Sequence, residues 1–215
     1  GFIYRNLADE GLLRHSWRAG RARHPAVLDD YANMARAALA LHQATEKASY
    51  LRQAEVWTAF LGDQYWDKDT GAYFLTAADT DDLITRPKTA ADNAVPPGNG
   101  TMAEVLTRLF HLTGDTAYRD HAEALIRILG SPVPEQNLPM PTLCTGFEIL
   151  DHPLQIVVVG LADDPGTVAL LDGARAAARP TRVITRIDPD AELPHGHPAQ
   201  GKSAIENKPT AYVCT

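Results

Sequence analysis

The feature that most constrains this chain is an internal repeat of helical hairpins. A shift of 68 positions, from Met34 to Met102, also lays Ala35 on Ala103 and Thr45 on Thr113. The same shift carries Tyr50 onto Tyr118, Ala54 onto Ala122 and Glu55 onto Glu123. Each copy holds two stretches with apolar residues at helical spacing, 28–45 with 49–65 and 98–112 with 116–129. Hairpins repeated in this way bury their apolar faces against one another, so the copies must stack as a solenoid or a closed ring. The expected inward stripe is Leu28, Tyr31, Ala32, Ala35, Ala38, Leu39 and Leu41 in one helix. Its counterpart is Met102, Ala103, Leu106, Leu109 and Phe110 in the other. Ser49 and Thr116 read as N-caps of the second helix of each pair.

The pattern changes after Gly130. Residues 131–141 hold four prolines and read as a loop, followed by a short helix over 142–150. Leu154-Gln155-Ile156-Val157-Val158-Val159-Gly160 is a β-branched apolar run, the signature of a buried strand. A helix from Asp164 or Pro165 to about Ala178 and a strand over 181–187 complete a small βαβ unit, with 211–214 as a last short strand. Residues 1–150 are therefore assigned to helical hairpins and 151–215 to a small α/β segment. Ahead of the first hairpin, 12–17 alternates weakly as a short strand or extended loop, and 18–26 reads as a polar connection. Asp69-Thr70-Gly71 supplies turn chemistry between two aromatic segments in 65–75, and 79–82 is an acidic, solvated stretch.

Composition narrows the classes of partner. A net charge of −7 without a basic run argues against nucleic acid. No apolar stretch approaches the roughly 20 residues of a membrane span. Cys144 and Cys214 lack CxxC or Cys/His spacing, so a reduced, cytoplasmic setting without metal or cofactor is expected. His195 and His197 sit in a Pro/Gly loop without a third ligand. The run from Gly196 to Ser203 matches GxxxxGK[ST], but no good strand precedes it and no helix has room to follow, so it reads as a loop. The chain opens on Gly1-Phe2-Ile3-Tyr4 without an initiating Met and looks like part of a longer protein.

The candidate site is the loop Asp92-Asn93-Ala94-Val95-Pro96-Pro97-Gly98-Asn99-Gly100 at the start of a helix. Its prolines and glycines stop the preceding element and present a carboxylate, two amides and backbone N–H groups to a pocket. The repeat lays Pro97-Gly98-Asn99 on Asp29-Asp30-Tyr31 and Asp92 on His24, so both clusters should share one rim. Asp29, Asp30 and Asp92 are the candidate acid/base carboxylates, of the kind glycoside hydrolysis uses. The bland alternative is that they are helix-start carboxylates. His15, His24 and Asp92 form an alternative proton-transfer set. Arg86 or Lys88 would orient a hydroxyl-rich or anionic substrate and Trp66 would stack on it, with His24, Asn93 and Asn99 completing the binding set.

Five motifs occur in a family's order: Leu28-Asp29-Asp30-Tyr31-Ala32, Gly71-Ala72-Tyr73-Phe74, Arg86-Pro87-Lys88, Asp92 to Asn99, and Pro209-Thr210-Ala211-Tyr212-Val213-Cys214. They resemble the C-terminal half of thioredoxin-domain-containing proteins related to bacterial YyaL and spermatogenesis-associated protein 20. The resemblance implies a mainly α fold. It would be a partial (α/α)6 toroid of the six-hairpin glycosidase type, similar to N-acylglucosamine 2-epimerase and cellobiose 2-epimerase, followed by the α/β segment. It also implies a thioredoxin-like domain and further toroid hairpins outside this sequence. The open face of a partial ring would then be a surface for homodimerisation. The family usually carries another cysteine soon after the one matching Cys214, whereas this sequence ends at Thr215, so a pairing or metal role for Cys214 stays open. The functional expectation is a carbohydrate-active or carbohydrate-binding toroid with glycosidase-like or sugar-epimerase-like chemistry. The alternative is a non-catalytic scaffold for the thioredoxin-like domain.

Overall fold

The repeated periodicity becomes two antiparallel helix pairs in the computed structural model, which describes residues 1–9, 12–80, 84–131, 136 and 138–215. Asp81 and Asp82 of the acidic stretch, and 132–135 and 137 of the proline-rich segment, lie outside the described residues. Helix α2 (Leu28–Thr45) turns into α3 (Ala48–Gln64), and α4 (Gly98–Thr113) turns into α5 (Thr116–Leu129). The two turns repeat in atomic detail. Glu46 and Gly114 are both left-handed, with φ of 58° and 77°, and their amides return to the carbonyls of His42 and Phe110. The hydroxyls of Thr45 and Thr113 donate to the carbonyls of Leu41 and Leu109 at 2.7 and 2.8 Å. A left-handed residue after the last turn satisfies helix-end carbonyls.

A further helix, α6 (Pro141–Asp151), packs beside α4. Helices α2, α4 and α6 run parallel as an inner row. Residue pairs progress in the same direction along α2 and α4, from Asp29 with Gly98 to Arg36 with Glu104. They do so again along α4 and α6, from Gly100 near Thr142 to His111 with Ile149. Helices α3 and α5 pack outside this row, each against its own partner. This alternation of inner and outer helices is the order a partial α/α toroid requires. Helix α4 lies in the middle, with Met102, Ala103, Val105, Leu106 and Leu109 fully enclosed. Its contact with α6 depends on small residues: a Cβ added to Gly146 would lie 2.7 Å from the Cβ of Ala103.

Several expectations are corrected in detail. Leu41 is 45% exposed because it follows buried Leu39 by two positions and so points to the opposite side of the helix. Phe110 is only partly buried. Helix α3 starts on Lys47, not Ser49, and Asp115 rather than Thr116 caps α5, taking the Ala117 amide at 2.9 Å. The polar connection at 18–26 contains a strand. Strands β2 (Leu12–Arg18) and β3 (Arg21–Pro25) form a hairpin around Ala19 and Gly20, both at positive φ, and β1 (Ala8–Asp9) adds to β2 after the short α1 (Phe2–Asn6).

The segment after α6 follows the expected order. Strand β4 (Leu154–Val159) pairs in parallel with β5 (Arg182–Ile187) through α7 (Pro165–Ala176), and antiparallel with β6 (Thr210–Cys214). Leu171 and Ala174 of α7 pack on Ile156, Val158 and Ile184, while Val157, Val159 and Ile187 meet Ala199 on the other face. The run matching GxxxxGK[ST] is made of turns with no helix after it. Its His197 is buried, donates from Nε2 to the carbonyl of Leu112 at 3.1 Å and accepts the Ala199 amide at Nδ1. Lys202 donates to the carbonyl of Pro198. The segment is thus packed against the end of α4.

Candidate functional site

Each inner helix begins on a carboxylate. The four opening amides of a helix have no partner within it, and they attract negative charge. Asp30, in the first turn of α2, takes the Val27 amide at 2.8 Å. Asp29 reaches across to α4 and takes the Gly98 amide at 2.6 Å. Asp92, in the loop before α4, takes the Thr142 amide of α6 at 3.2 Å and also the Thr142 hydroxyl. The rim anticipated from the repeat is therefore present, and adjacent helices are joined along it.

Strand β2 crosses this rim and brings His15 to the start of α2, where its Nδ1 lies 2.8 Å from Oδ2 of Asp30. Asp29, Asp30 and His15 line a cavity of about 470 Å³ together with Arg14 and Asn33. Asn33 follows Asp29 by one helical turn and donates to its carbonyl at 2.8 Å. Leu7, Leu13, Met34 and Val95 give the cavity apolar walls. Burial pushes the Asp29 carboxyl above the usual carboxylate range. The Gly98 amide opposes that shift, the charge of Asp30 adds to it and His15 counters it. When His15 donates Nδ1–H to Asp30, its Nε2 presents a lone pair. The cavity thus combines an acid of raised proton affinity with a carboxylate-oriented imidazole.

The other candidates have different neighbours, and none of them lines this cavity. Asn99 is 1% exposed, accepts the Tyr73 amide at 2.8 Å and donates to the carbonyls of Tyr73 and Thr89 at 2.9 and 3.0 Å. Lys88 donates to Asp67, to the Thr70 hydroxyl and to the Gly71 carbonyl. Arg86 donates to the carbonyl of Thr76, and both cations lie over the Phe74 ring, at 4.1 Å for Arg86 and 4.6 Å for Lys88. Trp66 sets an edge against Tyr73 and stacks on His121. Asn93 takes the amide of its neighbour Ala94, and His24 is exposed on β3. These contacts hold the 65–75 loop and its surroundings in shape. From the loop 92–100, Val95 reaches the cavity. Arg14 and Met34 were missed because nothing in their local pattern separates them from ordinary surface and core positions. Asn33 was legible as the residue one turn beyond Asp29.

Among the described residues, no cluster of three or more His, Cys, Asp or Glu side chains is arranged to hold a metal. Among the same residues no helix is long and apolar enough to cross a membrane.

No family model matches the chain. It is 28% identical over 194 residues to spermatogenesis-associated protein 20 of Rattus norvegicus, covering 86% of this chain and 24% of that protein. The Homo sapiens protein of the same name is 28% identical over 196 residues, covering 87% of this chain and 24% of the relative. An uncharacterized protein of Caenorhabditis elegans, B0495.5, is 24% identical over 227 residues, covering 99% of this chain and 30% of that one. The chain thus spans about a quarter of the length of the curated relatives it matches first. Among solved structures, cellobiose 2-epimerase from Spirochaeta thermophila is similar at 23% identity and a TM-score of 0.46, over 59% of this chain and 34% of that chain.

Proposed function

We propose that this homologue of the spermatogenesis-associated protein 20 proteins contributes a rim pocket for a hydroxyl-rich, sugar-like ligand, in an α/α toroid completed by other segments. Asp29 serves as the acid and His15, oriented by Asp30, as the base. The observation that carries this reading is the joint presence of Asp29, Asp30 and His15 in one cavity with apolar walls. A sugar is amphipathic, so its C–H face suits Leu13, Met34 and Val95 while its hydroxyls suit Asp29, Asn33 and Asp30. Burial raises the proton affinity of Asp29, which suits a proton donor, and the contact with Asp30 fixes the orientation of the His15 ring beside it. Asp92, Arg86, Lys88, Trp66, Asn93, Asn99 and His24 then support the rim and the loops around it.

Asp29→Asn separates chemistry from architecture, because the amide oxygen can still accept from Gly98 while the acid is gone. In a thermal-shift screen of mono- and disaccharides on the full-length polypeptide, the wild type should respond to a sugar. The variant should keep its melting temperature and lose the response. Absence of any sugar response in the wild type, or an equal response in the variant, would sink the assignment.

A second reading has its own support. Asp29, Asp30 and Asp92 all accept helix-start amides, which is what a non-catalytic scaffold needs from them. Under that reading Asp30→Ala lowers stability by about 0.5–2 kcal/mol, the usual cost of losing a cap, and changes no ligand response.

A further inference from the structure

A second cavity, of about 440 Å³, lies between α2, α4 and the α/β unit. The chain carries a net charge of −7, yet Arg36, Arg108, Arg175, Arg179 and Arg182 all line this one space, with Glu104 as its carboxylate. Glu104 is held by Arg108 at 2.8 Å and lies 3.8 Å from Arg36. Some of the guanidiniums are aimed by backbone carbonyls. Arg108 donates to the carbonyls of Arg182 and Pro180 at 2.8 and 2.7 Å. Arg182 donates to those of Ala174, Arg175 and Ala177. Carbonyls orient a cation without neutralising it. Arg175 has carboxylate partners, Glu46 at 3.0 Å and Asp172 at 3.4 Å. Among the described residues, Arg179 has no ion pair or side-chain hydrogen bond, and the buried Nε of Arg182 has no acceptor.

A clamp joining the hairpins to the α/β unit would account for Arg108, Arg175 and Arg182. It does not account for Arg179, and Arg36 has to share Glu104 with Arg108, so the space keeps an excess of positive charge. Guanidiniums present planar forks of donors that match phosphate oxygens in pairs, and they stay charged at every physiological pH. We propose that this cavity is an anion site for a phosphorylated small molecule. Arg36 and Arg179 contact the phosphate, and Arg108 and Arg182 are donors already oriented by the backbone. The cavity is of a size that suits a small ligand. It is separate from the rim pocket: Arg36 follows Asp29 by seven positions on α2, about 10 Å along the axis at roughly 1.5 Å per residue. The anion site therefore stands or falls independently of the sugar reading.

The test is calorimetric titration of the full-length polypeptide with inorganic phosphate and with pyrophosphate at matched ionic strength. Saturable binding of either is expected. Arg36→Ala and Arg179→Ala should each weaken it about tenfold, as expected for loss of a charge-assisted contact. Arg127→Ala, on the exposed side of α5 away from this cavity, should leave binding unchanged. Arg179 is exposed just beyond α7, so its replacement leaves the fold intact and a melting curve can verify this. Absence of saturable binding to either anion, or wild-type affinity in Arg179→Ala, overturns the proposal.

Discussion

A carboxylate oxygen of Asp29 lies 2.6 Å from the amide nitrogen of Gly98, so one inner helix provides the opening hydrogen-bond acceptor of the next. The approach is too close for any side chain at position 98. A Cβ there would fall 2.3 Å from Cγ of Leu28 and 2.7 Å from Oδ1 of Asp29. Gly98→Ala is therefore expected to lower stability by about 1–3 kcal/mol, the range seen when a packed contact is overfilled. Urea unfolding measures this directly, and an unchanged midpoint would mean that α2 and α4 separate at little cost.

Asp92 has the same role one step further along, for α6. Replacing it with alanine leaves the Thr142 amide and hydroxyl without their acceptor. The expected loss is about 0.5–2 kcal/mol, and Asp92→Asn should recover most of it by keeping an acceptor oxygen. Hydrogen exchange should place the extra opening in the first turn of α6. Uniform loss of protection across all helices would contradict a local cap.

Asn99 binds both backbone polar groups of Tyr73 and the carbonyl of Thr89 from a position closed to water. Removing the side chain leaves several buried groups unsatisfied, at roughly 1–3 kcal/mol each. Asn99→Asp is expected to be worse than Asn99→Ala at neutral pH, because a carboxylate would face two carbonyl oxygens. Thermal unfolding of the two variants side by side gives the order.

His111 couples stability to pH. It is buried in α4, donates from Nε2 to the carbonyl of Ile149 at 3.1 Å and accepts from the Gln155 amide at Nδ1 at 2.7 Å. Burial pushes its pKa below 6.5, the Ile149 carbonyl draws it partly back, and Arg108 lowers it further. The folded chain therefore takes up this proton less readily than the unfolded chain. The contribution of the neutral ring is fully present above pH 6.5 and is lost as the pH falls from there through the folded-state value. His111→Gln should flatten that part of the stability profile between about pH 8 and 5. Parallel profiles for the two proteins would exclude the effect.

The hairpins were readable because their repeat is local chemistry copied intact. Thr45 and Thr113 make the same bond one helical turn back, and Tyr50 and Tyr118 open the next helix in the same register. The strands of the α/β unit were readable because β4, apart from Gln155, is an apolar run whose last four residues are buried. Strand β3 was hidden because its side chains are mostly exposed and its pairing is carried by the backbone. Lys88 illustrates what sequence cannot show: a cation carries no mark of its partner, and Asp67 lies 21 positions away. The arginine cavity has no motif at all, since its members run from Arg36 to Arg182 and only folding gathers them. The rim was foreseen from the repeat, but its division between a cavity at Asp29 and a cap at Asp92 depends on where β2 crosses.

The sharing of helix-start acceptors also offsets the transferable unit from the sequence repeat. A hairpin cut out at the loop before Gly98 would leave behind the oxygen on which its inner helix opens. A segment able to be duplicated or grafted intact has to begin at the inner helix of one pair and extend through the first turn of the following one. Neighbouring units then overlap like shingles, and a new copy would have to enter the array between two existing ones with the edge of each preserved.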